Sequence, residues 1–159
     1  MYTHRALSDA DLHSICSFPQ TAEELFYIGP KFVFPLTPDQ IISLLANRFE
    51  PTVVIEEGTG NVAAYANLYD RNDQTCWLGN VIVAPEYRGR GAAEYLLNTM
   101  MRKASQLHGM HKLTLYCHNT NSRGLAFYHK HGFKPVDIRI TATDAGKSII
   151  SIQMEKPLV

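Results

Sequence analysis

Residues 81–97 read VIVAPEYRGRGAAEYLL: a short apolar run, a proline, an arginine–glycine cluster and the start of an apolar-periodic segment. This pattern predicts a strand that passes through a tight turn directly into a helix. Gly89 and Gly91 weaken both elements, so their presence indicates that something approaches the backbone closely. The first N–H groups of a helix are unpaired and partially positive, and Arg88 and Arg90 stand beside them. The stretch therefore predicts an anion-binding turn.

The segments on either side of this turn predict a sheet in which a helix connects two of the strands. Upstream, TVVIEE (52–57), VAAYANLYD (62–70) and TCWLGNVIV (75–83) are strand-like and separated by short turns, which predicts antiparallel hairpins. Downstream, apolar residues recur at helical spacing over 93–107, which predicts a helix of about five turns. KLTLYC (112–117) follows as a strand. Because a helix joins them, the strands before and after it are expected to run parallel.

The remaining segments complete one α/β domain, 1–159, with a mixed sheet. We expect a mostly antiparallel sheet of about six to seven strands with one parallel pair, flanked by about four helices. The other predicted elements are a strand near Tyr2–Ala6, helices begun by Ser8, by Thr21 and by Thr37–Pro38 (the last with Phe49 on its apolar face), a helix from Ser122 to His131, and a closing hairpin turning at TDAG (143–146). The expected buried side of the hairpin is Val136, Ile138, Ile140, Ile150, Ile152 and Met154.

Composition narrows the class of protein. The net charge is zero, which argues against a nucleic-acid-binding protein, for which a basic excess is expected. The three cysteines, Cys16, Cys76 and Cys117, are far apart without metal-type spacing, and neither a leader-like apolar segment nor a membrane-length apolar run occurs. We therefore expect a reduced, cytoplasmic protein with no metal, membrane or nucleic-acid partner.

Three kinds of phosphate-binding turn compete for the arginine–glycine cluster. A nucleotide-triphosphate P-loop needs Lys followed by Ser or Thr after its glycine, and Ala92 and Ala93 stand there instead. A dinucleotide fingerprint needs three glycines and an acidic residue about twenty positions later, whereas RGRGAA has two glycines. The third kind is an Arg-x-x-Gly-x-Ala turn that holds a diphosphate, and Arg88, Gly91 and Ala93 fit it.

The stretch VIVAPEYRGRGAAEYLL (81–97), followed by NSRGLAFYHKHGF (121–133), resembles the GNAT superfamily of acyl-CoA-dependent N-acetyltransferases. The turn alone is a weak signal, but its pairing at the family's spacing with a second set of residues is specific: Asn121, Tyr128, Gly132 and Phe133. The resemblance implies a GNAT-like sheet whose parallel strands splay apart, with acetyl-CoA as cosubstrate. It also implies acetyl transfer to an amine by direct attack in a ternary complex. The alternative is a non-catalytic acyl-CoA-binding sensor or regulatory module on the same fold.

The resemblance further implies which residues bind the cofactor. The diphosphate of coenzyme A would lie on the turn, mainly on backbone N–H groups of Arg88, Gly89, Arg90, Gly91, Ala92 and Ala93. The backbone of Val81 and Val83, freed by the splay, would pair with the pantetheine amides, and the Val83 N–H would stabilise the developing oxyanion. Asn121 would contact the cofactor and cap the last helix. Gly124 departs from the family, which commonly has alanine there.

Tyr128 is the implied catalytic acid and a cofactor contact. A phenol in a low-dielectric cleft stays protonated because desolvation raises its pKa, so it can donate to the departing CoA thiolate. The alternative is an aromatic core residue beside Leu125. The base that deprotonates the amine stays open among Tyr116, His118, Glu56, Glu57 and a water held by Asn80.

The acceptor is expected to be a primary amine of a small molecule or peptide. Residues 1–75 carry a balance of −6 and residues 76–159 a balance of +6. On one interpretation the acidic half admits a cationic acceptor, and on the other solvated side chains merely segregate. The acceptor pocket is expected to include aromatic walls from Phe18, Phe26, Tyr27 and Phe32, and the protein is expected to be a monomer or homodimer.

Overall fold

The computed structural model describes residues 1–143 and 145–158. The strands are β1 (Tyr2–Ala6), β2 (Arg48–Glu56), β3 (Val62–Tyr69), β4 (Thr75–Val83), β5 (Lys112–His118), β6 (Lys134–Ala142) and β7 (Ser148–Pro157). They form one open seven-stranded sheet in the order β1-β2-β3-β4-β5-β7-β6. Every neighbouring pair is antiparallel except β4 and β5, which are parallel. The predicted mixed sheet with one parallel pair is thus confirmed.

In the described part of the chain five α-helices flank the sheet, one more than the approximate number expected. They are α1 (Leu12–Cys16), α2 (Ala22–Ile28), α3 (Pro38–Leu45), α4 (Ala92–Arg102, extended by a π-helical turn over Lys103–Leu107) and α5 (Ser122–Lys130). Local signals start them: the Thr21 hydroxyl accepts the Glu24 N–H at 3.1 Å, and Pro38 occupies the first turn of α3. Among the described helices, none is long and apolar enough to cross a bilayer.

Helix α4 is fixed on the sheet by its apolar face. Leu96, Leu97 and Met100 recur at helical spacing and are buried in the core, where α4 packs mainly on β3 and β2. Full burial of side chains of this size stabilises the fold by about 1.5–3 kcal/mol each. The packing places the first turn of α4 beside the end of β4.

The parallel strands β4 and β5 part after a short contact. They pair only from Thr75 to Trp77 and from Lys112 to Thr114, although both continue for several residues. Directly after β4, Ala84 donates its N–H to the Ala63 carbonyl of the antiparallel neighbour β3 at 2.9 Å. Because backbone groups alternate along a strand, Val83 and Val81 direct their N–H and C=O groups into the gap.

Two expectations about individual residues are wrong. Phe49 lies in β2, paired with Leu68, rather than on α3, because the helix ends at Leu45 and the ladder with β3 takes over. On the closing hairpin, Val136, Ile138 and Ile140 are exposed, Ile138 by 62%. β6 is an edge strand, and among the described residues it packs extensively only on β7, so nothing covers this face. Of the predicted turn 143–146, Asp144 lies outside the described residues.

Candidate functional site

The turn between β4 and α4 presents unpaired backbone donors. Gly89 and Gly91 have φ angles of 73° and 86°, in the left-handed region that favours glycine, and open space surrounds both. Within the described part of the chain, the N–H groups of Gly91, Ala92 and Ala93 have no hydrogen-bond acceptor, whereas the Tyr95 N–H bonds the Gly91 carbonyl at 3.0 Å. The positive end of α4 therefore offers adjacent donors to an anion.

Carboxylates from other elements hold the two arginines of the turn. Arg88 donates to Glu24 of α2 at 2.7 Å, and Arg90 lies 3.5 Å from Glu56 of β2. Glu56 also accepts the Tyr87 hydroxyl at 2.8 Å, and this bond is the main cause of the lowered pKa of Glu56. The turn is thus braced through its arginine side chains, while its backbone offers the free donors.

A narrow cleft lies between β4, the first turns of α4, and α5. It brings together three of the predicted site residues: Val81 of β4, Ala93 of the anion-binding turn and Tyr128 of α5. Its lining consists of Leu78, Val81, Ala93, Leu96, Leu97, Phe127 and Tyr128. The cleft thus joins an apolar surface of β4 and α5 to the helix N-terminus that offers free donors to an anion.

Tyr128 is held by aromatic neighbours with its hydroxyl free. Its ring packs edge-on against Phe127 and Phe133, with centroids 5.3 and 5.8 Å away. Burial raises the pKa of Tyr128, and the nearby Cys117 raises it further, so the phenol is protonated at neutral pH. None of the described residues forms a hydrogen bond with this hydroxyl. Burial also raises the pKa of Cys117 to about 11, which leaves a neutral thiol rather than a nucleophilic thiolate.

Asn121 caps α5 and explains the unusual glycine that follows it. Its side-chain oxygen accepts the Gly124 N–H at 3.0 Å. A Cβ on residue 124 would lie 2.6 Å from the Asn121 amide nitrogen, so the close approach of the cap requires glycine or a shifted cap. The Asn121 amide nitrogen itself donates no hydrogen bond to the described residues.

His118 is the base candidate at the open end of the gap, where β5 ends. It is only 6% exposed, its ring stacks on Phe26 at 4.3 Å, and its Nδ1 is buried without a partner among the described residues. Burial lowers the pKa of His118, which favours a neutral imidazole at pH 7. Of the other candidates, Glu57 pairs with the N-terminal amine at 3.6 Å and Tyr116 stacks on Trp77.

The predicted aromatic walls of an acceptor pocket have different surroundings. Phe26 and Tyr27 of α2 cover His118, and the Tyr27 hydroxyl bonds the Thr120 hydroxyl at 2.9 Å. Phe32 is half-buried against the core, while Phe18 is fully part of it. Phe18 is therefore a packing residue rather than a wall.

A buried polar network on the opposite side of β4 escaped the sequence analysis. Arg48 of β2 donates to the side chains of Asn67 and Asn80 at 2.9 and 3.2 Å. The sequence contains one indication of this network: Asn67 and Asn80 stand in otherwise apolar strands, and buried amides require hydrogen-bond partners. No three His, Cys, Asp or Glu side chains converge on one point in the described ranges.

The comparison with protein families gives one match: the model described as the acetyltransferase (GNAT) family matches residues 17–133. No curated protein matches significantly.

Solved structures share the fold at low sequence identity. The ribosomal-protein-S18-alanine N-acetyltransferase from Escherichia coli is 24% identical with a TM-score of 0.75, covering 99% of this chain and 94% of that one. The spermidine N-acetyltransferase from Vibrio cholerae in complex with CoA and spermine is 21% identical with a TM-score of 0.80, covering 99% and 95%. A GNAT family acetyltransferase from Elizabethkingia anophelis with acetyl-CoA bound is 18% identical with a TM-score of 0.70, covering 99% and 98%.

Proposed function

The chain belongs to the GNAT acetyltransferase family, and from this membership we propose that it transfers an acetyl group from acetyl-CoA to a primary amine of a small molecule or peptide. One observation carries the proposal: the gap between β4 and β5 leads past free strand amides to the unpaired donors of α4. We propose that all of 1–159 acts as one domain, in the cytoplasm, as a monomer or homodimer. The amino end of the acceptor arrives as a cation because free amines are protonated near pH 7.

The residues of the cleft fit coenzyme A. In the turn from Arg88 to Ala93, the free N–H groups of Gly91, Ala92 and Ala93 would hold the diphosphate, and the two glycines leave room for it. The N–H groups of Arg88 and Arg90 bond the Pro85 and Tyr87 carbonyls at 3.3 Å, so these two residues would contribute through their side chains, contrary to the expectation from sequence. The backbone of Val81 and Val83 would pair with the pantetheine amides, which satisfies groups that no described strand pairs with. The free Asn121 amide would add a contact from α5.

The chemistry supplied by bound acetyl-CoA is a thioester carbonyl open to attack by a neutral amine. As the carbon–nitrogen bond forms and the carbon–sulfur bond breaks, the Tyr128 hydroxyl would give its proton to the departing sulfur. The Val83 N–H, directed into the gap, would stabilise the charge on the carbonyl oxygen. The amine must lose a proton first, and His118 combines a neutral imidazole with a position at the end of the gap.

The test of cofactor binding uses two matched glycine variants. Gly91→Ala forces a side chain onto a left-handed residue in the turn, and Gly109→Ala does the same beyond the other end of the helix, each at about 1–2 kcal/mol of stability. We expect calorimetry with CoA to show at least about tenfold weaker binding for Gly91→Ala, about 1.4 kcal/mol, and unchanged binding for Gly109→Ala. Absence of CoA binding to the unaltered protein would refute the proposal.

Turnover separates an enzyme from the sensor alternative. Acetyl-CoA is mixed with polyamines, amino acids, aminoglycosides and peptides, and release of free thiol is followed. Thiol release that depends on the amine supports acetyl transfer. Tight CoA binding without thiol release for any amine supports a non-catalytic acyl-CoA-binding module instead.

A further inference from the structure

On the sheet face away from α4, aromatic side chains form a continuous floor with a guanidinium at each end. The Arg48 Cζ lies 4.0 Å from the Tyr69 ring centroid, and the Tyr69 and Trp77 centroids are 6.1 Å apart. Trp77 and Tyr116 follow at 4.6 Å, and the Arg139 Cζ lies 5.7 Å from the Tyr116 ring. The floor therefore runs from β2 over β3, β4, β5 and β7 to β6, with Trp77 at the last β4–β5 pair and Tyr116 just beyond it, at the base of the gap.

Arg48 is a desolvated cation without a carboxylate. Burial is the main cause of the lowered pKa of Arg48, yet within the described residues no Asp or Glu lies within ion-pair distance of its guanidinium. One nitrogen, Nη1, makes both of its hydrogen bonds, to the amide oxygens of Asn67 and Asn80. The rest of the planar donor fork is unused, and such a fork binds carboxylates through two parallel bonds.

The surrounding chain holds this guanidinium in place. Asn80 has a φ of 52° and donates to the Ile28 carbonyl of α2 at 3.0 Å, while Asn67 donates to Asn80 and to the Tyr65 hydroxyl, each at 3.0 Å. A side chain at Gly79 would collide with the Arg48 guanidinium, so β4 has a glycine where the arginine reaches it.

The position of Arg48 relates it to the reacting groups. Asn80, its hydrogen-bond partner, immediately precedes Val81, which lines the cleft on the other side of the sheet. A carboxylate bound to Arg48 and an amine at the gap would therefore adjoin the same short stretch of β4. The acidic residues Glu24 and Glu56 pair with the arginines of the turn rather than with Arg48.

We propose that the acceptor is an amine that also carries a carboxylate, with Arg48 binding the carboxylate, Arg139 assisting, and the aromatic floor supporting the body of the molecule. This inference rests on the proposed function for the amine end only. It names the substrate class as amino acids or closely related amino carboxylates rather than polyamines. A polyamine would place a second cation against two arginines, which is unfavourable.

The test compares acids with their amides. L-Phenylalanine, L-glutamate, β-alanine and γ-aminobutyrate are each assayed against the corresponding carboxamide, with glycylglycine and spermidine as further arms, by thiol release from acetyl-CoA. We expect at least about tenfold higher kcat/KM for the best acid than for its amide, because a site built for a charged group rejects an analogue without it. If glycylglycine is acetylated and none of the free amino acids is, the carboxylate bound by Arg48 is that of a peptide terminus.

Variants identify the residue responsible. Arg48→Met should remove the preference for the acid, raising the KM of the acid at least about tenfold more than the KM of its amide. Arg102→Met, on the exposed surface of α4, should leave the ratio of acid to amide kcat/KM as it is in the unaltered protein. Arg139→Met, at the exposed end of the floor, should raise the KM of the acid about threefold and remains informative if Arg48→Met does not fold. An unchanged preference in a folded Arg48→Met, or better use of amides or spermidine by the unaltered protein, overturns the proposal.

Binding measurements keep the proposal separate from turnover. The CoA-saturated protein is titrated with the same acids and amides by calorimetry. Acid binding that Arg48→Met abolishes supports the carboxylate site even if no acetyl transfer occurs, in which case the proposed catalysis alone fails. Acetyl transfer to amines without any acid binding or acid preference overturns the carboxylate site and leaves the proposed function standing.

Discussion

Tyr128→Phe should lower kcat strongly while leaving the protein and its cofactor binding intact. The hydroxyl is the proposed proton donor to the departing sulfur, and a positioned general acid contributes about 10²–10⁴ in rate, or about 3–5 kcal/mol of barrier. None of the described residues bonds this hydroxyl, so its removal leaves no buried group without a partner. We therefore expect a change of less than about 0.5 kcal/mol in the free energy of unfolding, which is about 1–2 °C in Tm.

The assay is acetyl-CoA-dependent thiol release with the best amine of the panel, together with CoA calorimetry and thermal unfolding. Tyr95→Phe is the matched control, since it removes a hydroxyl that bonds His4 at 3.1 Å, where α4 packs against β1. The pH profile adds a second readout. Because burial raises the pKa of Tyr128, the phenol should stay protonated up to high pH. In the unaltered enzyme, deprotonation of this acid should therefore cause no decline of kcat until the pH rises above about 10.

Several results would contradict this assignment. Unchanged kcat in Tyr128→Phe would show that solvent or another group protonates the sulfur. Loss of CoA affinity equal to the loss of kcat/KM would make Tyr128 a binding residue. An equal loss in Tyr95→Phe would indicate a general disturbance of α4 rather than removal of an acid.

Three further predictions concern charge and exposure. Glu24→Gln removes the carboxylate that pairs with Arg88 and should strengthen CoA binding by up to about fivefold, because an exposed ion pair is worth at most about 1 kcal/mol. A raised KM for the acceptor with unchanged CoA affinity would instead show that Glu24 binds a cationic acceptor. The Arg5 hydrogen bond is the main cause of the lowered pKa of buried Asp11, so its stabilisation is present above the ordinary pKa of 3.8 and lost as pH falls through the folded-state value. Asp11→Asn should therefore cost about 1–3 kcal/mol in urea unfolding at pH 7, with the difference closing under strong acid, and a pH-independent difference would contradict this cause. Ile138→Ser should change the free energy of unfolding by less than about 0.5 kcal/mol, whereas a loss above about 2 kcal/mol would indicate burial.

The parts of the candidate site that are close together in sequence were predictable from sequence. The strand, glycine turn and helix over 81–97 occur as expected, because periodicity and the left-handed preference of glycine act over a few residues. The same holds for the Asn121 cap of α5 and for the place of Tyr128 on that helix. The parallel pairing of β4 and β5 also followed, since a helical crossover dictates strand direction.

The sequence by itself determined the elements, their order and the local turn that offers donors to an anion. Only the tertiary structure decided which distant side chains meet: Glu24 with Arg88, 64 residues apart, and Arg48 with Asn80, 32 residues apart. It also decided that β6 lies at the sheet edge and leaves Ile138 exposed, although its alternation is that of a half-buried strand. Periodicity reports that a face is apolar, but burial depends on which element packs over that face, and that follows from strand order across the whole sheet.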